Sequence, residues 1–238
     1  MKISVVIPVY NEAAGLESFL QKLQKVRGCD ERSGPDDSAE IVLVDGGSAD
    51  GTAEIATKLG FQCVISPKKG RAAQMNYGAE VASGDILYFL HADTIPPDTA
   101  LNQIEEAVLH GVESGCFRLS FDDLSPVMRF YAWFTRFDLL PFRFGDQSLF
   151  VRSTLFHDMG GFREDHIVME DNEFMRRLRK RGKFVVFEDS VVTSARKYQK
   201  NGFVRLQLIF MAIYIMYYLG VHQETLVAFY RDMISDSR

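Results

Sequence analysis

The chain has 238 residues, 47% of them apolar and 25% charged, with a net charge of −5. This composition supports a sizeable buried core and excludes a disordered chain; the acidic balance excludes a generally basic nucleic-acid binder. Three cysteines (Cys29, Cys63 and Cys116) are too few and too scattered for a disulfide framework or a zinc cluster, so they read as free thiols in a reducing, cytoplasmic compartment.

Residues 3–7 form an apolar run behind a lysine. The run is shorter than the ~7–15 residues of a secretion signal and no small-residue cleavage site follows, so it reads as a first strand. Apolar, β-branched runs at 3–9, 40–44, 62–65 and 86–90 alternate with helical patterns at 13–26, 52–59 and 72–82. Continuous apolar strands alternating with amphipathic helices predict a parallel sheet covered on both faces. The polar stretch 28–39, with two glycines and a proline, reads as an exposed, mobile loop before the second strand.

A helix over 98–109 follows, and then the regular alternation ends. Residues 117–144 hold nine aromatics, well above the 12% average of the chain. They read either as ordinary core packing or as a hydrophobic wall for an apolar acceptor, with Trp133 as its candidate contact. A strand at 148–152, a helix at 170–180, short strands at 184–187 and 191–194 and two C-terminal helices complete the prediction. The basic cluster 176–183 reads as a dipole-matched helix end or as a site for anionic headgroups. The helix over 203–219 is apolar nearly all round, which leaves burial, membrane contact and dimerisation open. The longest apolar run, 208–221, is shorter than the ~18–20 residues that span a bilayer.

Ligands of an open parallel sheet bind outside the carboxyl ends of its strands. The first strand ends in Val9-Tyr10-Asn11-Glu12, the second in Asp45-Gly46-Gly47-Ser48-Ala49-Asp50-Gly51-Thr52, and the fourth in His91-Ala92-Asp93. Asn11 and Asp50 suit helix caps as well as ligand contacts. Asp45 and Asp93 each end a strongly apolar strand, where a carboxylate adds nothing to packing. Two such carboxylates suit a divalent cation and a sugar nucleotide. The sequence has neither a Gly-x-Gly-x-x-Gly turn nor a Gly-Lys-Ser/Thr P-loop.

These segments, together with Glu170-Asp171-Asn172-Glu173, resemble in order and spacing the signatures of glycosyltransferase family 2 over roughly residues 3–230. Gly70-Arg71-Ala72-Ala73-Gln74-Met75-Asn76 and Gly145-Asp146-Gln147 are further similar to a compact bacterial subgroup whose members are often named carotenoid-type glycosyltransferases. The resemblance implies an α/β GT-A fold: a Rossmann-like, mostly parallel sheet flanked by helices. It implies one domain over 1–238, with a nucleotide-sugar half (1–110), an acceptor and catalytic half (111–195) and C-terminal helices (196–238). It also implies a nucleoside-diphosphate sugar donor, with uridine the expected base, Mg2+ or Mn2+, and inversion at the anomeric carbon.

By position, Pro8, Tyr10, Glu12 and Asp45 would line the nucleoside pocket, with Arg71 and Ala92 beside the base or diphosphate. Asp93 would hold the metal, with His91 a second candidate ligand. Asp171 would be the catalytic base and Glu170 its fallback. Asp146, Gln147 and Trp133 would face the acceptor, which is apolar or lipid-linked on this reading. Arg196 and Lys197 are candidate diphosphate contacts. The chain departs from the family pattern twice: His91 replaces the first acid of Asp-x-Asp, and Gly46 replaces a frequent second acid after Asp45. Two rival readings are a sugar-phosphate nucleotidyltransferase and a binding module without activity. The first needs a glycine-rich loop after the first strand, where Pro8-Val9-Tyr10-Asn11-Glu12 stands; the retained Asp93 and Asp171 oppose the second.

Overall fold

The computed structural model describes residues 1–26 and 39–235. The predicted loop 28–39, apart from Ala39, and Cys29 lie outside the described residues. In chain order the elements are β1 (Ile3–Val9), α1 (Ala13–Leu23), β2 (Glu40–Asp45), α2 (Thr52–Lys58), β3 (Gln62–Ile65), α3 (Arg71–Val81), β4 (Ile86–Phe89), β5 (Thr94–Ile95), α4 (Ala100–Leu109) and β6 (Ser114–Phe121). Then come α5 (Pro126–Trp133), three single 3-10 turns over 134–147, β7 (Phe150–Arg152), α6 (Ser153–Asp158), α7 (Glu170–Arg181), β8 (Phe184–Thr193), α8 (Arg196–Asn201), α9 (Phe203–Tyr218) and α10 (Gln223–Met233).

One sheet takes the order β3-β2-β1-β4-β7-β6-β8-β5. The four N-terminal strands pair in parallel, as their continuous apolar runs predict, and β6 pairs in parallel with β8. β7 lies antiparallel between β4 and β6, and β5 antiparallel against β8. Alternate residues of β1 serve opposite faces, following the period of two along a strand. Val5, Ile7 and Val9 pack with Leu16, Phe19 and Leu20 of α1 and with Leu101 and Ile104 of α4. Val6 packs on the other face with Met75 and Ala79 of α3 and with Phe174, Met175 and Leu178 of α7. Each such fully buried aliphatic or aromatic side chain contributes about 1.5–3 kcal/mol. α3 reaches the sheet closely because Gly78 has no side chain: a Cβ there would sit 2.3 Å from Val6 Cγ1.

The structure adds α5, α6 and α8 to the predicted elements and differs from the prediction elsewhere for physical reasons. β6 does not show the alternation that marks a half-exposed strand, because six of its eight residues are buried. The two strands predicted over 184–194 are one, with a register shift that leaves Glu188 and Asp189 outside the ladder against β6. The aromatic segment divides: Phe117 and Phe121 are core, whereas Phe130, Trp133 and Phe137 stay exposed, Trp133 lying edge-on to Phe134 and Phe137. Half of the basic cluster 176–183 is spent on the chain itself, and Lys180, Arg181 and Lys183 stay exposed. Arg177 binds Glu173 and the Met159 and Gly161 carbonyl oxygens, and Arg179 binds Asp138. Among the described residues no helix is long and apolar enough to cross a membrane.

Candidate active site

The carboxyl ends of β1 and β2 are laced together by short polar side chains. Asn11, at φ +52°, accepts the Ala49 amide on its Oδ1, and its own amide donates to Ser48 Oγ. Thr52 Oγ1 accepts the Glu12 amide, and Asp50 accepts the amides of Ala13 and Thr52. Asp50 therefore serves helix starts, as its residue type predicts, whereas Asn11 joins two loops instead of capping α1. Asp45 corrects the expectation that its carboxylate has no structural work. It is 2% exposed; Oδ2 accepts the Gly47 and Ser48 amides at 3.1 and 2.9 Å, and Oδ1 accepts the Ser48 hydroxyl. Pro8 is half-buried, Tyr10 exposed and Glu12 buried on the same rim.

Gly46 has its explanation in Gln74. The buried Gln74 carboxamide donates to the Val9 and Val44 carbonyl oxygens at 2.8 and 2.7 Å, tying β1 to β2 from α3. A Cβ at position 46 would meet that carboxamide at 3.0 Å, so an acidic side chain there requires Gln74 to move.

The second half of the chain brings its charges to this rim. Met169, at φ +70°, turns the chain into α7, so that Glu170 and Asp171 fall in the first turn, where the helix dipole favours carboxylates. Both are buried. Arg71, at the start of α3, places Nη1 3.5 Å from Glu170 Oε1 and 3.8 Å from Asp171 Oδ2, and keeps 43% of its side chain open to solvent. His91 Nδ1 lies 3.0 Å from Asp146 Oδ1. Gly145 lets these groups meet: a Cβ on it would sit 2.0 Å from Asp171 Oδ2 and 2.9 Å from His91 Cε1. Asn172 locks the loop opposite by donating to the Leu140 and Arg143 carbonyl oxygens, while its Oδ1 accepts the Tyr218 hydroxyl of α9.

Burial, with Asp171 alongside, pushes the Glu170 carboxyl up to about 7 despite Arg71. Burial also raises Asp171, against the opposing charges of His91 and Arg71. For His91 burial works downward, but the hydrogen bond that its Nδ1 donates to Asp146 prevails and favours the imidazolium. Although burial opposes it, Asp146 lies well below the usual carboxylate range, held there by His91, Arg71 and Lys197. Because Glu170 binds its proton more tightly folded than unfolded, its contribution to stability is complete below pH ~4.3 and is lost as pH rises through about 7. Wild-type protein should therefore lose more stability between pH 5 and pH 8 than Glu170→Gln, read from urea midpoints. Parallel profiles would contradict that burial.

Asp93 follows β4 and is half-buried; its carbonyl oxygen accepts the Ser194 amide, which brings α8 against the rim. Ala92 beside it is half-buried. Lys197 of α8 donates to the Tyr230 hydroxyl of α10 at 2.9 Å, and its charge reaches Asp146. Among the described residues no group of three or more His, Cys, Asp or Glu side chains forms a metal cage. A single hard carboxylate, Asp93, fits a divalent ion that takes its remaining ligands from diphosphate and water. His91 turns Nδ1 to Asp146, which leaves only Nε2 for a ligand.

Gln147 was expected on the acceptor side. It is fully buried, and its Oε1 accepts from the buried Arg143, so it stiffens the loop from beneath. Trp133 is exposed, with Arg136 over its ring. The contact of Gln74 with position 46 and the latch formed by Asn172 are visible only in the folded chain. Gln74 is a polar residue between Ala73 and Met75, a weak signal without coordinates, and Asn172 stands among acidic residues that give it no signal of its own.

Residues 4–165 match the model of Glycosyl transferase family 2. The chain belongs to that family. It is 34% identical over 118 residues to an undecaprenyl-phosphate 4-deoxy-4-formamido-L-arabinose transferase of Aeromonas hydrophila, covering 47% of this chain and 35% of that one. It is 30% identical over 187 residues to an uncharacterized glycosyltransferase of Mycobacterium tuberculosis, covering 74% and 68%. Among solved structures, a mannosyltransferase of Pyrobaculum calidifontis in complex with GDP-Man and Mn2+ superposes with a TM-score of 0.67 at 21% identity, over 90% of this chain and 62% of that one. This likeness establishes the GT-A fold of the family 2 chain. The Aeromonas match spans about a third of that relative's length.

Proposed function

We propose that this family 2 chain transfers a sugar from a nucleoside-diphosphate sugar to an oxygen of a lipid-linked acceptor, with inversion at the anomeric carbon. The observation that carries the reading is the meeting of two buried carboxylates at the start of α7 with Arg71 and His91 on the nucleotide rim of the sheet. Such a rim is where an open α/β sheet binds its ligand. The nucleotide sugar and ion held by the Pyrobaculum structure and the undecaprenyl-phosphate acceptor in the Aeromonas relative's name support the classes of donor, metal and acceptor.

In this reading Tyr10 and Pro8 flank the base, and the laced loops around Asp45 and Glu12 give the nucleoside a rigid wall. Ala92 leaves room beside the diphosphate. Asp93 would hold Mg2+ or Mn2+, which, when bound, would neutralise charge on the leaving diphosphate. Arg71 adds fixed positive charge near the same place, and His91 adds to it when protonated, the form that its hydrogen bond to Asp146 favours, with Lys197 beyond them. Asp171 takes the proton of an acceptor hydroxyl as its oxygen attacks, and its raised pKa makes it a stronger base than an exposed aspartate. Glu170 stays paired with Arg71 and is the reserve base. Asp146 orients His91, and Trp133 lies on the acceptor side with the other exposed aromatics.

We place the chain in the cytoplasm at the inner face of a membrane; the described thiols Cys63 and Cys116 are unpaired, as is usual in a reducing compartment. We also read the chain as one domain with its donor half in residues 1–110. The test is nucleotide release from a panel of uridine, guanosine, cytidine and thymidine diphosphate sugars, with a polyprenyl alcohol or polyprenyl phosphate as acceptor. Selective release of one nucleotide above the protein-free rate supports the reading; no release across the panel by folded protein removes it.

A further inference from the structure

α9 is apolar on two opposite faces. Leu206, Ile209 and Ile213 are buried against α10 and the chain that precedes α7. On the other side Val204, Leu208, Met211, Ile215, Tyr218 and Leu219 are each 41–77% exposed. At 100° per residue these six fall within an arc of about 100°, and from first to last they run about 22 Å along the helix. A stripe of that size is larger than scattered surface hydrophobes explain. Val204 and Leu208 also line a groove of about 480 Å³ that opens between α9 and α10, floored by Ile209, Phe229 and Met233.

The charge around the stripe selects its occupant. Although the chain carries −5, residues 190–223 contain no Asp or Glu, and Arg196, Lys200 and Arg205 on the amino-terminal side of the stripe are exposed. An anionic bilayer offers the complement: apolar depth for the stripe and negative headgroups for the basic residues. The stripe also leads to the active site. Tyr218, at its end, donates to Asn172, the residue next to Asp171, and Arg176 lies 6.0 Å from the Tyr218 ring.

We propose that α9 lies in the surface of an anionic membrane, its exposed stripe in the headgroup–acyl boundary, and so presents the Asp171 end of the site to lipid-borne acceptors. The proposal rests on the lipid-linked acceptor reading and gives it an orientation.

Flotation of the full chain with vesicles tests it, using phosphatidylcholine alone and phosphatidylcholine with one-quarter phosphatidylglycerol. Wild type should float with the anionic vesicles, and high salt or neutral vesicles should release it. The triple variant Leu208→Gln/Met211→Gln/Ile215→Gln, altered only at exposed positions, should bind about tenfold less. Wild-type protein that stays unbound with anionic vesicles overturns the proposal without recourse to any variant. So does a folded triple variant that floats as well as wild type, or a concentration-dependent dimer that the triple variant abolishes while wild type ignores vesicles. Nucleotide titration of the same preparations separates the two readings. Vesicle binding can fail while nucleotide binding persists, which leaves the transferase reading standing, and the reverse outcome removes that reading alone.

Discussion

Asp171→Asn is expected to lower sugar transfer by ~10²–10⁴-fold, the contribution of a positioned general base, while nucleotide affinity stays at the wild-type level. Asparagine keeps the shape and the first-turn position but accepts no proton at neutral pH. The prediction separates Asp171 from Glu170, which lies nearer the Arg71 guanidinium, at 3.5 against 3.8 Å. If Glu170 is the base, Asp171→Asn leaves turnover close to wild type and Glu170→Gln abolishes it. Turnover should also follow the pH at which Asp171 ionises, and that pH is higher than for a solvated aspartate because of burial. A flat profile between pH 4 and pH 7 would contradict the assignment.

Gly145→Ala should be almost as damaging, although it removes no functional group. The added methyl would occupy a position 2.0 Å from Asp171 Oδ2 and 2.5 Å from its Cγ, so either the carboxylate or the loop must shift. The loop is held by Arg143, which donates to the Thr135 and Phe137 carbonyl oxygens at 2.9 and 2.7 Å, and by the Asn172 amide. The carboxylate is therefore the part that moves. A displacement of about 1 Å of a catalytic group costs on the order of 10²-fold in rate. The check is kcat of the alanine variant together with its thermal unfolding: kcat should fall while the midpoint shifts only by a few degrees. Wild-type kcat would show that Asp171 does not need its observed place.

The N-terminal half was legible because its strands are continuous β-branched runs and its helices are amphipathic, so β1 and β3 occur where the pattern puts them. The rim residues were legible for the same reason: a polar cluster after each strand stands out against apolar sequence. The roles within the rim were less so. Asp45 holds its own turn, a use that depends on the φ of Gly47 and is not encoded in apolar periodicity. The absence of an acid at Gly46 follows from Gln74, 28 residues away in sequence and in contact only after α3 packs on the sheet. The contact between Gly145 and Asp171 is likewise long-range. α9 was ambiguous in sequence because a helix apolar all round gives no indication of which face is covered; the structure covers one face and leaves the opposite one open.

The most direct test of a nucleotide-sugar site on this rim is calorimetric titration of UDP, GDP, CDP and dTDP into wild-type protein and Asp93→Ala, each with and without Mn2+. Tight binding of one nucleotide, strengthened by Mn2+ in wild type but not in Asp93→Ala, is the predicted result. Folded wild-type protein that binds none of the four, or binds one equally well without Mn2+ and in Asp93→Ala, would contradict the placement of the donor and its metal at the ends of β1, β2 and β4.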